Sequence, residues 1–137
     1  MRRGFKMRGL LSSGVPSEEW EHIAVVAYLR YQYPDALYTI APSGNALARK
    51  TANRFKAMGY RAGTPDIMIF EPRGGFSGLF IEMKVRKGGR VSEEQEAFIE
   101  ALRARGYFAF VAFGADEAKK TIDAYMKGGI NAGNNGR

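Results

Sequence analysis

The sequence contains no cysteine and only one histidine in 137 residues. Without cysteine, the chain has neither a disulfide framework nor thiolate zinc sites, and a reducing cytoplasm suits it. A single histidine also excludes a metal centre built from several imidazole rings. Any bound metal must therefore be held mainly by oxygen atoms, which favours hard cations such as Mg²⁺ or Mn²⁺.

Long apolar runs are also missing, since stretches such as "IAVVAYL" are far too short to span a bilayer. The first residues, "MRRGFKMRGLLSSG", are basic but have little apolar core, so we expect no signal peptide. These features predict a soluble cytoplasmic protein with no membrane partner.

Acidic residues are absent from two segments, although the whole chain has a formal charge of +7. Residues 45–61 contain Arg49, Lys50, Arg54, Lys56 and Arg61, and residues 84–90 contain Lys84, Arg86, Lys87 and Arg90. Such one-signed clusters attract polyanions, most commonly nucleic acid. A solvated basic surface with no partner is the alternative.

The order of predicted elements indicates one α/β domain, a mixed central β-sheet flanked by helices. Residues 17–31 are predicted to form a helix that Ser17 can cap, and "LYTIA" is predicted to be a short strand. A loop and a helix ending at Gly59 precede the strands "PDIMIF" and "LFIEMKV", which are joined by the turn "EPRGGFSG".

The remaining chain is predicted as a helix, a strand and a last helix, "SEEQEAFIEALRARG", "YFAFVAF" and "ADEAKKTIDAYMKGG". Ser92 and Gln95 have the spacing of a capping box at the first of these helices. We therefore divide the chain into a basic N-terminal arm (1–16), a domain (17–127) and a flexible C-terminal tail (128–137).

Three charged residues occur within the two apolar strands of the hairpin. Because side chains alternate along a strand, Glu82 and Lys84 share one face, and pairing of the strands can bring Asp66 beside them. Two close carboxylates repel unless a cation or a proton lies between them. A divalent metal would suit phosphate chemistry, because it binds phosphate oxygens and lowers the pKa of a bound water. The alternative is an ordinary polar outer face of a hairpin.

"GTPDIMIF" followed by "IEMK" resembles the signature of the PD-(D/E)XK nucleases. The wider segments "APSGNALARKTANRFKAMGYRAGTPDIMIF", "GLFIEMKVRKGGRVSEEQEAFIEALRARGY" and "GADEAKKTIDAY" are similar to the VRR-NUC family, the virus-type replication and repair nucleases. The resemblance covers roughly residues 17–126 and implies the restriction-endonuclease-like core of that superfamily.

The resemblance also implies an active site. It makes Asp66, Glu82 and the Met83 carbonyl metal ligands and Lys84 the catalytic lysine. Glu21 matches an acidic residue on the first helix that completes the metal site, and Gln95 matches a glutamine near the site.

Alternatives stay open for the weaker matches. Glu21 competes with Glu18 and Glu19, and all three also suit the positive end of a helix dipole. Gln95 has a structural role in the capping box as well. The resemblance places Ser43 and Asn45 near the substrate, but a polar loop explains them equally well.

The function implied is Mg²⁺- or Mn²⁺-dependent hydrolysis of DNA phosphodiester bonds, with no small-molecule cofactor. Stand-alone members of the family resemble Holliday-junction resolvases, which implies a homodimer acting on branched DNA in phage or bacterial replication, recombination or repair. The alternatives are a DNA-binding module without catalysis and a restriction-like enzyme that cuts duplex DNA.

Overall fold

The computed structural model describes residues 18–42 and 49–134, with the backbone alone at residues 49, 50 and 134. The predicted arm (1–16), Ser17, Ser43 and Asn45 lie outside this part. The described elements are α1 (Glu18–Gln32), β1 (Tyr38–Ile40), α2 (Arg49–Ala57), β2 (Ile67–Ile69), β3 (Leu79–Lys84), α3 (Glu93–Arg103), β4 (Phe108–Phe113), α4 (Ala115–Met126) and a 3₁₀ helix (Ala132–Asn134). Of the helices described, none is long and apolar enough to cross a membrane.

The described strands form one mixed sheet in the order β1–β2–β3–β4. Strands β2 and β3 are antiparallel, with Ile67 opposite Ile81, so the predicted hairpin is confirmed. Strands β3 and β4 are parallel and are connected through α3, because a parallel pair needs a crossover. The predicted mixed sheet with flanking helices is thus confirmed.

One face of the sheet is covered by α1 and α4. Val25 and Leu29 of α1 and Ile122 of α4 pack with Ile81 and Met83 of β3, and all five are fully buried. The apolar sides of these two helices cover the apolar side chains on this face of the sheet, which would otherwise be exposed to water.

Helix α3 covers the other face, where Ile99 and Leu102 pack with Phe80 of β3. Successive β3 residues enter the two clusters in turn, so all six residues of the strand are buried. Continued alternation from Phe80 places Glu82 and Lys84 on the α3 face.

Asp123 of α4 connects the last turns of α1 to α4 by hydrogen bonds. The hydroxyl of Tyr28 donates to its two carboxylate oxygens at 2.7 and 2.6 Å, and the hydroxyl of Tyr33 donates to Oδ1 at 2.6 Å. The bond to Asp123 and burial raise the pKa of Tyr28 to about 12.

The segment predicted as a flexible tail contacts the β2–β3 turn in its described part. The Ala132 N–H donates to the Gly74 carbonyl over 2.8 Å, and Ile130 packs against the core. Gly74 has a φ of +58°, and a Cβ there would lie 2.0 Å from the Ile130 carbonyl oxygen. Partial burial of Ile130 against the core accounts for these contacts of residues 130–132.

Candidate active site

Carboxylate groups from three elements meet at one end of the hairpin. One oxygen each of Glu18, Asp66 and Glu82 lies within 4.8 Å of the other two. Glu18 is the first residue of α1, and Asp66 immediately precedes β2. Extending the β2–β3 register by one residue from the Ile67–Ile81 pair places Asp66 opposite Glu82, which explains their proximity.

The charges on β3 are not on a water-facing surface. Glu82 is 2% exposed and Lys84 is 9% exposed. The ammonium Nζ of Lys84 lies 3.7 Å from Glu82 Oε1. Burial therefore contradicts the alternative interpretation of an ordinary polar hairpin face.

The carboxyl group of Glu82 has a raised pKa. Burial, and then the charge of Asp66, raise its pKa to about 8, although Lys84 acts in the opposite direction. Its Oε2 is buried and has no hydrogen-bond partner among the described residues. A buried carboxylate oxygen without a donor is costly, so this atom is suited to a cation.

Asp66 is held in place by the backbone of β3. Its Oδ2 accepts a hydrogen bond from the Met83 N–H over 2.8 Å. The side chain of Met83 is fully buried in the core on the opposite side of the strand from Glu82 and Lys84. This explains why an apolar residue separates these two charged residues.

Gln95 belongs both to the cap of α3 and to the carboxylate site. It completes the predicted capping box, with its Oε1 accepting from the Ser92 N–H at 2.9 Å. Its Nε2 donates to Glu82 Oε1 over 2.8 Å. The two roles suggested by the sequence are therefore geometrically compatible.

The loop before Asp66 lies directly against the start of α3. Gly63 has a φ of +88°, and a Cβ there would lie 2.3 Å from the Glu94 carbonyl oxygen. Only glycine permits both this backbone conformation and this close approach. The approach brings the segments that carry Asp66 and Gln95 together.

Glu21 does not join the carboxylate group, and Glu18 lies where the sequence analysis placed Glu21. The Oε2 of Glu21 accepts from the Ala115 N–H at the start of α4, and its Oε1 accepts from Arg86 Nε at 3.0 Å. Glu18 and Glu21 lie on the same side of α1 but one turn apart along its axis. Their side chains therefore reach different neighbours.

All of the predicted DNA-binding residues that are described with side chains are exposed, namely Arg54, Lys56, Arg61, Lys87 and Arg90, together with Arg86. Arg61 also places its guanidinium 5.6 Å from the centre of the Phe98 ring. Arg86 differs from this group because it is paired with Glu21 and, at 3.4 Å, with Asp116. The side chains of Arg49 and Lys50 lie outside the described part.

Tyr60 is a further residue near the site, and no sequence pattern indicates it. Burial raises the pKa of its hydroxyl, and the negative charges of Asp66 and Glu82 raise it further. The hydroxyl donates to the Pro42 carbonyl at 3.3 Å. Its position after α2 gave no sequence signal, because a lone aromatic residue is common in any loop.

The donor set fits a hard divalent cation. Three carboxylates and one ammonium leave an excess of negative charge, and every side-chain donor of Glu18, Asp66 and Glu82 is oxygen. Mg²⁺ and Mn²⁺ prefer such ligands. Oε2 of Glu82, which has no hydrogen-bond partner in the part of the chain that the structure describes, is available to such a cation.

Comparisons with known proteins agree with this geometry. The family model of the VRR-NUC domain matches residues 17–116. A solved structure described as a "VRR_NUC domain protein" superposes with a TM-score of 0.70 and 29% sequence identity, covering 87% of this chain and 95% of that chain. No curated protein matches the chain. The chain belongs to the VRR-NUC family of nucleases.

Proposed function

We propose that this protein is a divalent-metal-dependent DNA endonuclease that hydrolyses phosphodiester bonds. The observation that carries the proposal is the group of Glu18, Asp66 and Glu82, with the buried Lys84 ammonium 3.7 Å from Glu82. A module that only binds DNA has no need for a metal site of this kind. Membership of a nuclease family supports the same conclusion.

Glu18, Asp66 and Glu82 would hold Mg²⁺ or Mn²⁺, and the Met83 carbonyl is a further candidate ligand. When bound, the metal would neutralise the carboxylates, bind phosphate oxygens and lower the pKa of a water molecule. Glu21 is not part of this ligand set, because both of its oxygens are bonded elsewhere.

The remaining residues would position the reacting groups. Lys84 would orient the attacking water and stabilise the charge that develops on the phosphate. Water would attack phosphorus in line and the bond to the 3′ oxygen would break. Gln95 would fix the orientation of Glu82 through its 2.8 Å hydrogen bond.

The substrate would be DNA held by the basic segments that precede and follow the carboxylates. Arg54, Lys56, Arg61, Lys87 and Arg90 are exposed and available to phosphates. Ser43, Asn45, Arg49 and Lys50, whose side chains lie outside the described part, remain proposed DNA contacts. Such binding weakens steeply with salt.

We further propose branched DNA as the preferred substrate and a homodimer as the active form, because symmetric cutting of a junction requires two related sites. The setting would be phage or bacterial replication, recombination or repair in the cytoplasm.

The proposal is tested by incubating purified protein with a labelled four-way junction, a flap and a plain duplex, in Mg²⁺, in Mn²⁺ and in chelator. Cleavage should require metal and should be lost in Asp66→Ala and Lys84→Ala. Lys120→Ala, an exposed lysine of α4, is the matched control and should cut like the wild type. Mass in solution, measured in parallel, should correspond to a dimer.

Other outcomes identify the alternatives. Binding without cleavage, unchanged by Glu82→Ala, would indicate a DNA-binding module. Cutting of plain duplex at one short sequence would indicate a restriction-like enzyme. Undiminished cleavage by Asp66→Ala or Lys84→Ala would reject the proposed site.

A further inference from the structure

Glu21 carries a buried charge next to the carboxylate group but outside it. It is 4% exposed, and both of its oxygens are occupied by protein donors. One donor is the Ala115 N–H and the other is Arg86 Nε at 3.0 Å. An acid buried in this way is expected to be strongly destabilising once either donor is removed.

Both donors belong to chain segments that are linked to Lys84, one along the chain and the other by a backbone hydrogen bond. Arg86 follows Lys84 by two residues along the chain. Ala115 follows Gly114, whose N–H donates to the Lys84 carbonyl over 2.9 Å. Ala115 also begins α4, where the positive end of the helix dipole favours a carboxylate. Through these two hydrogen bonds, Glu21 links the first turn of α1 to the backbone around Lys84.

The side chain of Arg86 is docked on the protein surface. Its guanidinium contacts Glu21 and, at 3.4 Å, Asp116. Its stem lies against Gly114, where an added Cβ would be 2.7 Å from Arg86 Cγ. These contacts hold the side chain of Arg86 against α1 and α4. Lys87 makes no such contact among the described residues.

We propose that Glu21 and Arg86 are a positioning pair that holds Glu18 beside Asp66 and Glu82, and that neither binds metal or DNA directly. The inference rests on the proposed metal-dependent function. Glu18 is the first residue of α1, at the end of the helix where fraying is expected. Glu21, one turn further on, is the anchor that keeps this turn in place.

The test measures Mn²⁺ binding to the full chain without DNA, by calorimetric titration of the wild type, Glu21→Gln and Arg86→Gln. Each variant should bind Mn²⁺ about 10–100-fold more weakly, the range typical for residues that orient metal ligands. Glu19→Gln, an exposed acid in the same turn, and Arg105→Gln, an exposed arginine, are the controls and should bind like the wild type.

A double variant separates positioning from general damage. Arg86→Gln leaves the buried Glu21 carboxylate without its charged partner, whereas Glu21→Gln with Arg86→Gln removes both charges of the pair. The loss of Mn²⁺ affinity in the double variant should be smaller than the combined losses of the single variants. A glutamine amide can still donate a hydrogen bond to Glu21 from this half-exposed position, so Arg86→Gln should fold even if Glu21→Gln does not.

Salt dependence of DNA binding in chelator tests whether Arg86 contacts phosphate. Lys87→Gln should reduce the slope of log affinity against log salt by about one, and Arg86→Gln should leave it unchanged. A reduced slope with wild-type Mn²⁺ affinity in Arg86→Gln would overturn the proposal. Complete loss of Mn²⁺ binding in Glu21→Gln, as large as in Asp66→Ala, would make Glu21 a ligand and overturn it as well.

Asp66→Ala distinguishes failure of this inference from failure of the proposed function. If the wild type binds no Mn²⁺, or Asp66→Ala binds it normally, the metal site itself is rejected. If Asp66→Ala loses Mn²⁺ while Glu21→Gln and Arg86→Gln retain wild-type affinity, only the positioning pair is rejected.

Discussion

The side chain of Gln95 donates from Nε2 to Glu82 Oε1 over 2.8 Å while its own Oε1 accepts from the Ser92 N–H. One amide thus stabilises the start of α3 and orients an active-site carboxylate. The helix cap and the site are consequently coupled, and substitutions can separate the two contributions.

Ser92→Ala and Gln95→Ala should each destabilise the protein by about 1 kcal/mol, because both break the capping box. Only Gln95→Ala should also slow single-turnover cleavage, by roughly tenfold or more, since Glu82 loses its donor. Urea denaturation and cleavage rates measure the two effects. Equal cleavage rates in the two variants would contradict a role for Gln95 in the site.

Metal-free protein should lose stability relative to Glu82→Gln as the pH rises from about 5 to 8.5. The pKa of Glu82 is raised from 4.5 to about 8 in the folded protein, so folding favours its protonated form. That contribution is fully present below pH 4.5 and is lost as the pH rises through about 8. The relative loss should be at least about 2 kcal/mol.

Urea denaturation in chelator, repeated across this pH range, measures the difference. Mn²⁺ should stabilise the wild type more at pH 8.5 than at pH 5, since it competes with the proton for the carboxylates. A difference between wild type and Glu82→Gln that does not vary with pH would contradict the raised pKa.

Gly63→Ala should destabilise the protein by about 3 kcal/mol, because it adds a clash with the Glu94 carbonyl to an unfavourable backbone conformation. Gly59→Ala is the matched control: its φ is +114°, but nothing lies within 4 Å of an added Cβ. It should cost only about 1 kcal/mol. Equal losses in denaturation experiments would show that the close approach of the loop to α3 is unimportant.

The hydrogen bond between Tyr28 and Asp123 should fail at high pH. The pKa of Tyr28 is raised from 10.0 to about 12 in the folded protein, so the neutral phenol is favoured. Its contribution is fully present below pH 10 and is lost as the pH rises through about 12. Thermal unfolding of Tyr28→Phe should therefore vary less with pH than that of the wild type between pH 10.0 and about 12, the range set by these pKa values. Parallel curves would contradict this.

Local patterns were sufficient to predict the hairpin and α3. Alternating apolar residues and the Gly- and Pro-rich turn define the β2–β3 pair, and the Ser92–Gln95 spacing defines the start of α3. These signals work because turn and cap chemistry depend on residues close together in sequence. Asp66, Glu82 and Lys84 were selected for the same reason, with the family resemblance supplying their roles.

The choice among the acids of α1 depended on information that is not local. Glu18, Glu19 and Glu21 all lie in the first helical turn, and all suit its dipole. Which acid reaches Asp66 and Glu82 is decided by how α1 lies against the sheet. That orientation comes from long-range contacts such as Val25 and Leu29 with β3.

The sequence does not reveal the pairing of Arg86 with acidic residues, for a related reason. In the sequence it belongs to a basic segment with Lys87 and Arg90, which favours a surface that binds phosphate. Its partners Glu21 and Asp116 are 65 and 30 residues away along the chain. A cluster of basic residues therefore predicts a positively charged surface. It does not show which of these residues are already paired with acidic residues of the same protein.

The complete burial of β3 has a consequence for how this protein can change over generations. Apolar residues at positions 82 and 84 would suit a strand enclosed on both faces better than Glu82 and Lys84 do, since a buried ion pair often stabilises less than hydrophobic residues of similar size. Selection for folding alone would therefore remove the charges, and only selection for chemistry would retain them. A relative with leucine or methionine at both positions is expected to be the more stable protein and to have lost the reaction.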